Sequence, residues 1–501
     1  MPTNDAGQGP SAATIAAIRD QFLGLHTHYR LADGRQVQQV YLDSAASALM
    51  FAPAFELRRR FLGHYANVHS SSHNPARIAT AALAWAREQV LAFVGADPAE
   101  YEVLFFGAGV TALSNRLARL LRQSRPERDV VLISAMEHHS NDLPHRESTR
   151  FLHVDLECED GRHGTVSLAH LERLLEEHGE RVNYVTVTGV SNVTGIINPI
   201  HRIAELAHRH GACVVVDGAQ MAAHVPVGMS QPGGRALDVF MFSGHKIYAP
   251  GSPGVAVVSK RLLDGAAPVE LGGGMVSHVY PDDYEVAPAL ADREHAGTPD
   301  VSGAVALGGV LNALMRVGMA RVFDKERDLM AHALKVLGDV PTIALYGDTD
   351  QVAAPRVGSI AFNLEGIDHG LVAAVLSDYF AIAVRNECFC AHMYVREMLL
   401  DSLWNLDAGD LSDEELEQSV RLKRGMVRAS FGLYTRRADI DRLAQALTDL
   451  ATNAAHYRAR YTVAPDGTYV HKAFMAAQEN GFAPERELTQ LLGIAPAALA
   501  A

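Results

Sequence analysis

A lysine inside an otherwise apolar stretch is the first residue of this chain whose surroundings could make it reactive. Residues 238–250 read DVFMFSGHKIYAP, so an apolar run ends in Ser-Gly-His and Lys246 follows. The run predicts a buried strand, and the Pro-Gly after it predicts a turn. An amine at such an edge loses hydration, which disfavours its charged form and makes it a nucleophile. Taken alone, Lys246 is more simply explained as a surface lysine at a strand end.

A second stretch, upstream, supplies a partner for this lysine. The β-branched run at 212–216 ends in Asp217 and continues as Gly-Ala-Gln. One strand that delivers an aspartate and another that delivers a lysine are what a pyridoxal 5′-phosphate (PLP) site requires. The carboxylate pairs with the protonated pyridine nitrogen, and the lysine amine binds the aldehyde of the cofactor. The two stretches together therefore predict PLP as the cofactor.

The motifs DGAQ (217–220) and SGHKIYAP (243–250), in this order and at this spacing, resemble the class V aminotransferase family. Within it, the group II cysteine desulfurases and selenocysteine lyases look most similar, and the resemblance runs from about Tyr41 to about Leu450. It implies an α/β protein of PLP-dependent transferase fold type I. In that fold a large domain carries a mainly parallel seven-stranded sheet, and a smaller α+β domain lies C-terminal to it. A homodimer is also implied.

The order of the predicted elements agrees with such a sheet. A helical pattern at 199–211 lies between apolar runs that predict strands, and the strand runs are 103–106, 130–133, 185–188, 212–216 and 254–258. Strands that alternate with helices predict a parallel sheet covered on both faces. After the first strand, a glycine turn at 107–109 opens a helix. Its N-terminus offers free N–H groups and the positive end of the helix dipole, which suit a phosphate.

The resemblance assigns the phosphate contacts by position. They would come from the helix N-terminus and from the two residues that flank Gly244. In the order of the chain they are Gly109, Val110, Thr111, Ser243 and His245. In relatives the loop HAGTP (295–299) comes from the neighbouring subunit, and its threonine reaches the phosphate. By this comparison Thr298 would complete the site of a partner protomer.

Three further residues would contact the ring of the cofactor. The resemblance implies that His138, in the motif MEHHSN, stacks on the pyridine ring and transfers protons. It implies that Asn192 and Gln220 form hydrogen bonds near the phenolic oxygen of the ring, from two sides. A His-His pair at a strand end is more often structural. The catalytic assignment of His138 therefore depends on the position of this pair in the series of predicted strands.

Half of the four cysteines of the chain fall within three residues, in the sequence RNECFCAH (385–392). The two thiols could be small buried residues. A metal could bind Cys388, Cys390 and His392, but no second cysteine cluster completes a structural zinc site, so we expect no metal. A thiolate could also be a nucleophile held over the cofactor. In group II desulfurases the catalytic cysteine follows the arginine of this motif, and Cys390 matches it best. Which of Cys388 and Cys390 carries a persulfide stays open from sequence.

The stretch VRASFGLY resembles the family segment whose arginine binds the substrate carboxylate, which assigns that role to Arg428. A planar guanidinium grips a carboxylate through two parallel hydrogen bonds and so fixes the orientation of an amino acid. Arg385 is a second candidate, and Ala45, His69 and Asn192 complete the implied substrate pocket. Relatives often follow the histidine with Arg-Gly, whereas this chain has SSSH, so an arginine contact there is not expected.

Composition limits the other possibilities. The net charge of −14 and the lack of a basic stripe argue against nucleic-acid binding. No apolar run is long enough to span a membrane, and the first residues lack the pattern of a signal peptide. Four cysteines among 501 residues are too few for a disulfide framework and suit a cytoplasmic protein.

We expect five segments along the chain. They are a disordered tail (1–13), an N-terminal segment that packs with the small domain (14–40), the large PLP-binding domain (41–310), the small domain (311–455) and an extension of unknown role (456–501). A capping box and a terminal Lys-Arg-Gly predict an inserted helix near 412–424. In the extension, the sequence YTV followed by the turn PDG predicts a small hairpin.

These observations predict a PLP-dependent cysteine desulfurase that converts L-cysteine to alanine and leaves a persulfide for transfer to a sulfur-acceptor protein. Its catalytic residues would be Lys246, Cys390 and His138. The alternatives within PLP enzymes are another C–S lyase, a selenocysteine lyase, and a class V aminotransferase or epimerase, because one fold hosts all of these. Outside the enzymes, the alternative is a sulfur-carrier scaffold without catalytic activity.

Overall fold

The computed structural model describes residues 12–147, 150–231, 235–404 and 425–493. Its largest sheet has seven strands, which lie side by side in the order Tyr101–Phe106, Gly254–Ser259, Val239–Ser243, Cys213–Asp217, Val182–Thr188, Val130–Ser134 and Arg150–Val154. Neighbours are parallel except at Gly254–Ser259, which is antiparallel to both strands beside it. The predicted fold class, with a mainly parallel seven-stranded sheet, is confirmed.

The central strands are apolar without alternation because helices cover both faces of the sheet. Every residue of Val239–Ser243 and of Cys213–Asp217 is buried. The helices of the described residues are Ala12–Arg19, Ala52–Leu62, Asn74–Phe93, Gly109–Ser124, Leu143–Arg146, Leu168–His178, Ile200–Arg209, Lys260–Leu263, Leu290–Arg293, Val301–Val317, Met319–Gly338, His369–Phe380, His392–Trp404, Arg437–Thr452, Ala454–Arg458, Ala476–Glu479 and Pro484–Leu492. Short 3-10 turns lie at His139–Asn141, Gly179–Arg181 and Gly244–Lys246.

A second, antiparallel sheet has its own hydrophobic core. Its strands lie in the order Ile343–Leu345, Ser359–Leu364, Met426–Ser430 and Arg385–Glu387. In this register Arg385 lies directly opposite Arg428. The sheet therefore carries both arginines that the sequence proposes for substrate binding.

Six two-stranded pairs complete the strands of the part of the chain that the structure describes. They are His28–Arg30 with Gln36–Gln38, Val40–Tyr41 with Ile382–Ala383, Leu156–Glu159 with Arg162–Val166, Ser230–Gln231 with Arg235–Ala236, Val276–Val279 with Tyr284–Val286, and Tyr461–Val463 with Tyr469–His471. The last pair is the hairpin that the sequence predicts near the C-terminus. Side-chain hydrogen bonds hold it to the helix His369–Phe380, from Tyr461 Oη to Asp378 Oδ2 at 3.0 Å and between Tyr379 Oη and His471 Nε2 at 2.8 Å.

Two long helices follow one another from Val301 and meet at a bend. Gly318, with a φ of 89°, separates Val301–Val317 from Met319–Gly338, and the two helices meet at an angle of 80°. A positive φ suits glycine because it has no Cβ to clash. Within the described ranges, no single helix is long and apolar enough to cross a membrane, although this bent pair taken together reaches the required length and composition.

The N-terminal segment contacts both cores of the protein. Phe22 lies in the core under the seven-stranded sheet, and Val40 lies in the core of the second sheet. The predicted packing of residues 14–40 with the small domain stays a prediction. The first helix begins at Ala12, inside the predicted tail. Residues 1–11 of that tail and the predicted inserted helix near 412–424 lie outside the described residues.

Candidate active site

The predicted site residues follow neighbouring strands of the seven-stranded sheet. Asp217 and Ser243 are the last residues of their strands, and His138 and Asn192 follow two further strands by four residues each. The carboxyl ends of parallel strands meet at one edge of a sheet, and ligands bind there in α/β proteins. A cavity of about 190 Å³ lies at this edge, and Lys246 is part of its wall.

Most of the residues predicted from sequence line this cavity. They are Ala45, Val110, Thr111, His138, Asn192, Ser243, His245, Lys246, Arg385, Cys390 and Arg428. Arg385 and Arg428 belong to the second sheet, and Cys390 follows the strand Arg385–Glu387 of that sheet. Most of the others lie at the end of the large sheet. The fold therefore brings together residues that lie up to several hundred positions apart in the sequence.

Lys246 ends the 3-10 turn Gly244–Lys246, directly after the strand Val239–Ser243. Loss of hydration lowers the pKa of its ammonium group, and the negative charge of Asp217 opposes this shift. A lower pKa raises the fraction of free amine at neutral pH. The amine that the sequence proposes as a nucleophile is therefore in an environment that favours its reactive form.

Asp217 is 3% exposed and accepts a hydrogen bond from the N–H of Ala219 at 2.8 Å. Burial raises the pKa of its carboxyl group, and Lys246 partly offsets this. A carboxylate with a raised pKa is a strong acceptor for a pyridinium N–H. Asp217 is thus suited to hold a proton on the ring nitrogen of PLP.

The helix Gly109–Ser124 begins with two left-handed residues, Ala108 (φ 56°) and Gly109 (φ 60°). A Cβ atom on Gly109 would lie 2.5 Å from Ser243 Oγ, so only glycine fits at this point. Ser243 Oγ accepts the N–H of Val110 at 3.0 Å, and Thr111 lines the cavity beside it. A helix N-terminus with adjacent hydroxyl groups fits a phosphate. With Lys246 and the buried carboxylate, these residues fit PLP.

His138 is held by Ser140, which the sequence does not single out. The N–H of Ser140 donates to His138 Nδ1 at 3.1 Å, and the Ser140 hydroxyl lies 2.5 Å from the same atom. Since Nδ1 accepts, the proton of the neutral ring lies on Nε2. Burial, reinforced by the charge of Lys246, lowers the pKa of His138 to about 3. A neutral ring at physiological pH suits stacking on a pyridine.

Glu137 is a buried acid next to the site that sequence reasoning missed, although it directly precedes His138. Its carboxyl group accepts hydrogen bonds from the N–H of Thr188 at 2.6 Å and from Asn141 Nδ2 at 2.7 Å. Burial raises its pKa to about 8, and the negative charge of Asp217 contributes to this shift. Glu137 is therefore largely protonated at neutral pH, and a neutral Glu137 places no second negative charge near Asp217.

Replacing Glu137 with glutamine is expected to remove a pH dependence of folding stability. Its pKa is raised from 4.5 to about 8 in the folded protein, so between these values the folded state binds more protons than the unfolded state. The free energy of unfolding then falls as pH rises through this window, by at most about 1.4 kcal/mol per pH unit. Thermal unfolding from pH 5 to pH 8 should show Glu137→Gln gaining stability relative to wild type. The exposed Glu365→Gln is the control, and a constant difference for Glu137→Gln across this range would contradict the expectation.

Arg428 is 2% exposed and is positioned by three contacts. Its Nη1 donates to the carbonyl of Asn192 at 2.9 Å, its Nη2 lies 3.2 Å from Asp43 Oδ1, and its guanidinium lies 4.9 Å from the ring centre of Phe389. Its buried Nε has no partner among the described residues. A guanidinium has five N–H donors, so Arg428 retains donors for a carboxylate. Sequence reasoning missed Asp43 and Phe389, although Phe389 lies between the two cysteines that it singled out.

The two cysteines differ in position. The N–H of Ala391 donates to the carbonyl of Cys388 at 2.8 Å, which closes a turn with Phe389 and Cys390 at its centre. Cys390 is exposed and lines the cavity of Lys246, whereas Cys388 lines a separate cavity of about 620 Å³ beside the C-terminal hairpin. Burial raises the pKa of the Cys388 thiol, and the charge of Glu387 adds to the shift. The placement favours Cys390 as the nucleophile.

Five of the predicted residues do not line this cavity. Gly109, Asp217 and Gln220 lie within two positions of residues that do, whereas Thr298 and His69 lie elsewhere. Thr298 Oγ1 accepts a hydrogen bond from Asn67 Nδ2 at 3.1 Å, and the ring of His69 lies against Gly274. Neither residue lines the wall around Lys246. Their proposed contacts with phosphate and substrate stay predictions.

Gln220 and Asn192, which are predicted to contact the cofactor, donate side-chain hydrogen bonds to other groups of the protein. Gln220 Nε2 donates to the carbonyl of Ala45 at 2.7 Å, and Asn192 Nδ2 donates to the carbonyl of Phe389 at 2.8 Å. The Asn192 contact links the large sheet to the turn that carries Cys390. Both side chains retain an amide oxygen, and their bonds to the ring oxygen stay predictions.

The fold and the paired Asp217 and Lys246 define a PLP-dependent enzyme of fold type I. The chain belongs to the aminotransferase class-V family, because the model of that family matches residues 40–443. Among curated proteins, a probable cysteine desulfurase of Halalkalibacterium halodurans is 33% identical over 412 residues, which cover 81% of this chain and 92% of the relative. A cysteine desulfurase of Escherichia coli (strain K12 / DH10B) is 34% identical over the same length and the same shares of both chains.

Solved structures show the same fold. The cysteine desulfurase CsdA (S-sulfonic acid) from Escherichia coli aligns with a TM-score of 0.68 and 28% identity, over 88% of this chain and 98% of that one. The apo structure of a cysteine desulfurase from Thermococcus onnurineus NA1 aligns with a TM-score of 0.68 and 25% identity, over 83% and 95% of the two chains.

Proposed function

We propose that the protein is a PLP-dependent cysteine desulfurase, which converts L-cysteine to alanine and leaves a persulfide on Cys390. The observation that carries the proposal is the shared cavity of Lys246, Arg428 and Cys390. An amine, a carboxylate-binding cation and a thiol are the three groups that the reaction requires. The relatives named cysteine desulfurase, over 81% of the chain, support the same activity.

Arg428 binds the carboxylate of the substrate through its remaining N–H donors. Its contacts with Asp43 and with the carbonyl of Asn192 fix the plane of the guanidinium, so the amino acid is held in one orientation. Arg385, opposite it in the second sheet, adds positive charge at the same wall of the cavity. The substrate thiol then extends towards Cys390.

Lys246 would hold PLP, and its amine is the base that removes the proton from Cα of the substrate. Bound PLP supplies an electron sink that stabilises the resulting negative charge at Cα. Asp217 holds a proton on the pyridine nitrogen and so maintains that sink. Neutral His138 would lie against the ring of PLP, and it carries a proton on Nε2 that is available to the substrate.

Cys390 takes the sulfur. Its thiolate attacks the substrate sulfur, the Cβ–S bond breaks, and the electron pair of that bond remains on the carbon side. A proton delivered to Cβ completes the methyl group, and the proton that Lys246 removed returns to Cα, which completes alanine. Cys390 holds the persulfide. Cys390 lies within electrostatic reach of Lys246 and Arg428, on the wall of the cavity that they share.

We also propose a homodimer and a sulfur-acceptor protein. The loop with Thr298 lies outside its own cavity, as expected for a residue that serves a neighbouring subunit. Large apolar side chains are exposed on the helix Ala52–Leu62 and just after it, namely Phe55, Leu62 and Tyr65. Sedimentation of the purified protein tests the dimer, and a monomer that retains full activity would contradict the shared site. Cys390 is exposed, which suits transfer of its persulfide to another protein.

The proposal is tested by the absorbance of the purified protein before and after L-cysteine is added, with analysis of the products. A cofactor band that changes with L-cysteine, together with release of alanine, supports a desulfurase. Sulfide with pyruvate would identify another C–S lyase. A response only to L-selenocysteine would identify a selenocysteine lyase, and no response to either would reject both substrates.

Arg428→Lys is expected to raise the KM for L-cysteine about tenfold to a hundredfold, with a smaller effect on kcat. Lysine keeps the charge but loses the planar pair of donors, and one charged hydrogen bond contributes about 1.5–3 kcal/mol. Steady-state kinetics of alanine formation measures both constants. Arg396→Lys, in the helix that follows the cysteine turn, is the matched control. An unchanged KM in Arg428→Lys would assign the carboxylate to another residue.

A further inference from the structure

The turn that carries Cys390 has an unfavourable backbone conformation. Phe389 (φ 51°) and Cys390 (φ 57°) are both left-handed, and Glu387 has a φ of 90°. For residues other than glycine, each such conformation costs about 1–3 kcal/mol of free energy, and it persists only where surrounding contacts impose it. The contacts that impose this one therefore decide where the Cys390 thiol lies.

Two histidines make the contact on the outer side of this turn. The N–H of His139 donates to the carbonyl of Cys390 at 2.7 Å. The ring of His139 stacks on the ring of His392, with centres 4.7 Å apart and an angle of 6° between the planes. His139 follows the large sheet directly after His138, whereas His392 lies two residues beyond Cys390.

Hydrogen bonds define the protonation of this pair. The N–H of His392 donates to His139 Nε2 at 3.4 Å, and His392 Nδ1 lies 2.9 Å from the same atom. Since a backbone N–H can only donate, His139 Nε2 is an acceptor and His392 Nδ1 carries a proton. The arrangement requires a His139 that is unprotonated at Nε2.

We propose that His392 is a positioning residue, which holds the Cys390 turn against His139 so that the thiol meets the substrate sulfur. The inference rests on the proposed desulfurase activity and adds a residue to it. Stacking and two hydrogen bonds to one nitrogen fix the end of the turn, and the His139 N–H fixes its centre. A displacement of about 1 Å at a reacting atom is enough to slow a reaction by roughly a hundredfold.

The pair is also expected to respond to acid. The groups that face His139 are His392, Asp142 and Arg146, with His138 beside it in the chain. Loss of hydration lowers the pKa of His139, His392 and Arg146 lower it further, and Asp142 opposes them. The contact is therefore intact above pH 6.5, and it is lost as pH falls through the lowered pKa, when a proton occupies Nε2.

Hydrogen exchange of the holoenzyme tests the contact without any turnover. The amides to follow are those of His139 and Ala391, which donate to the carbonyls of Cys390 and Cys388. In His392→Ala we expect both to exchange about fivefold faster, the factor that corresponds to a hydrogen bond worth about 1 kcal/mol. In His392→Gln, whose side-chain amide can donate to His139 Nε2, we expect exchange near wild type. Exposed His456→Ala is the matched control.

Single-turnover formation of the Cys390 persulfide tests the consequence. His392→Ala should slow this step about fivefold or more with little change in KM, His392→Gln should restore it, and the wild-type rate should fall below pH 6.5. Unchanged exchange in His392→Ala would overturn the contact. Faster exchange with an unchanged persulfide rate would overturn the positioning role. If wild type forms no persulfide, the proposed function fails, and the exchange result still decides the contact.

Discussion

Lys246→Ala is expected to reduce alanine formation from L-cysteine by about a thousandfold or more. Lys246 supplies both the covalent attachment of PLP and the base for the Cα proton, and a positioned proton-transfer group alone contributes about 10²–10⁴ in rate. The measurement is the rate of alanine release by the reconstituted protein. Lys260→Ala is the control, because Lys260 lies outside the cavity and its Nζ donates to the carbonyl of Pro98 at 2.6 Å.

The same variant separates binding of the cofactor from catalysis. Asp217 and the N-terminus of the helix Gly109–Ser124 remain in place in Lys246→Ala, so PLP should still bind, with an absorbance altered by the missing attachment. A variant that binds PLP and retains more than a tenth of the wild-type rate would show that another residue is the base. Exogenous amines that restore part of the rate would support Lys246 in that role.

Cys390→Ala is expected to lower the rate of alanine formation from L-cysteine about a hundredfold or more, while the absorbance of the bound cofactor stays that of wild type. The thiolate is the acceptor of the substrate sulfur, and without it the C–S bond has no nucleophile to break it. Mass spectrometry of the peptide around Cys390 after one turnover measures the persulfide. In the variant we expect no persulfide on any cysteine.

Two single variants serve as controls for Cys390→Ala. Cys158 is exposed and belongs to the strand Leu156–Glu159, outside the cavity, and Cys388 faces a different cavity. Cys158→Ala and Cys388→Ala should each keep at least about half of the wild-type rate of alanine formation. A large loss in Cys388→Ala with a persulfide still formed on Cys390 would assign Cys388 a part in catalysis. Full activity of Cys390→Ala would reject the persulfide mechanism.

The residues that sequence predicts best are those that end buried strands. An apolar run that ends in polar residues is a local pattern, and it places Asp217 and Lys246 at one sheet edge before any contact is known. The order of the seven strands is consistent with the same reasoning, because parallel strands joined by helices leave few arrangements.

The contacts that sequence does not predict join distant parts of the chain. Asp43 pairs with Arg428 across 385 positions, and His139 stacks on His392 across 253. No local pattern indicates such pairs, because the sequence around one member does not show which distant residue it contacts. Sequence reasoning misses the buried Glu137 for a related reason, because its raised pKa depends on burial and on Asp217.

The cavity is assembled across a seam between two separately packed cores. Lys246 and Asp217 belong to the seven-stranded sheet, whereas Arg428 and Arg385 pair within the second sheet, next to the Cys390 turn. A rigid shift of one core relative to the other would change two distances together. One joins the Lys246 amine to Cα of the substrate, and the other joins the Cys390 thiolate to the substrate sulfur. Substitutions remote from the cavity but on this seam, such as at the Ser44–Tyr434 hydrogen bond of 2.7 Å, should therefore alter affinity and turnover jointly.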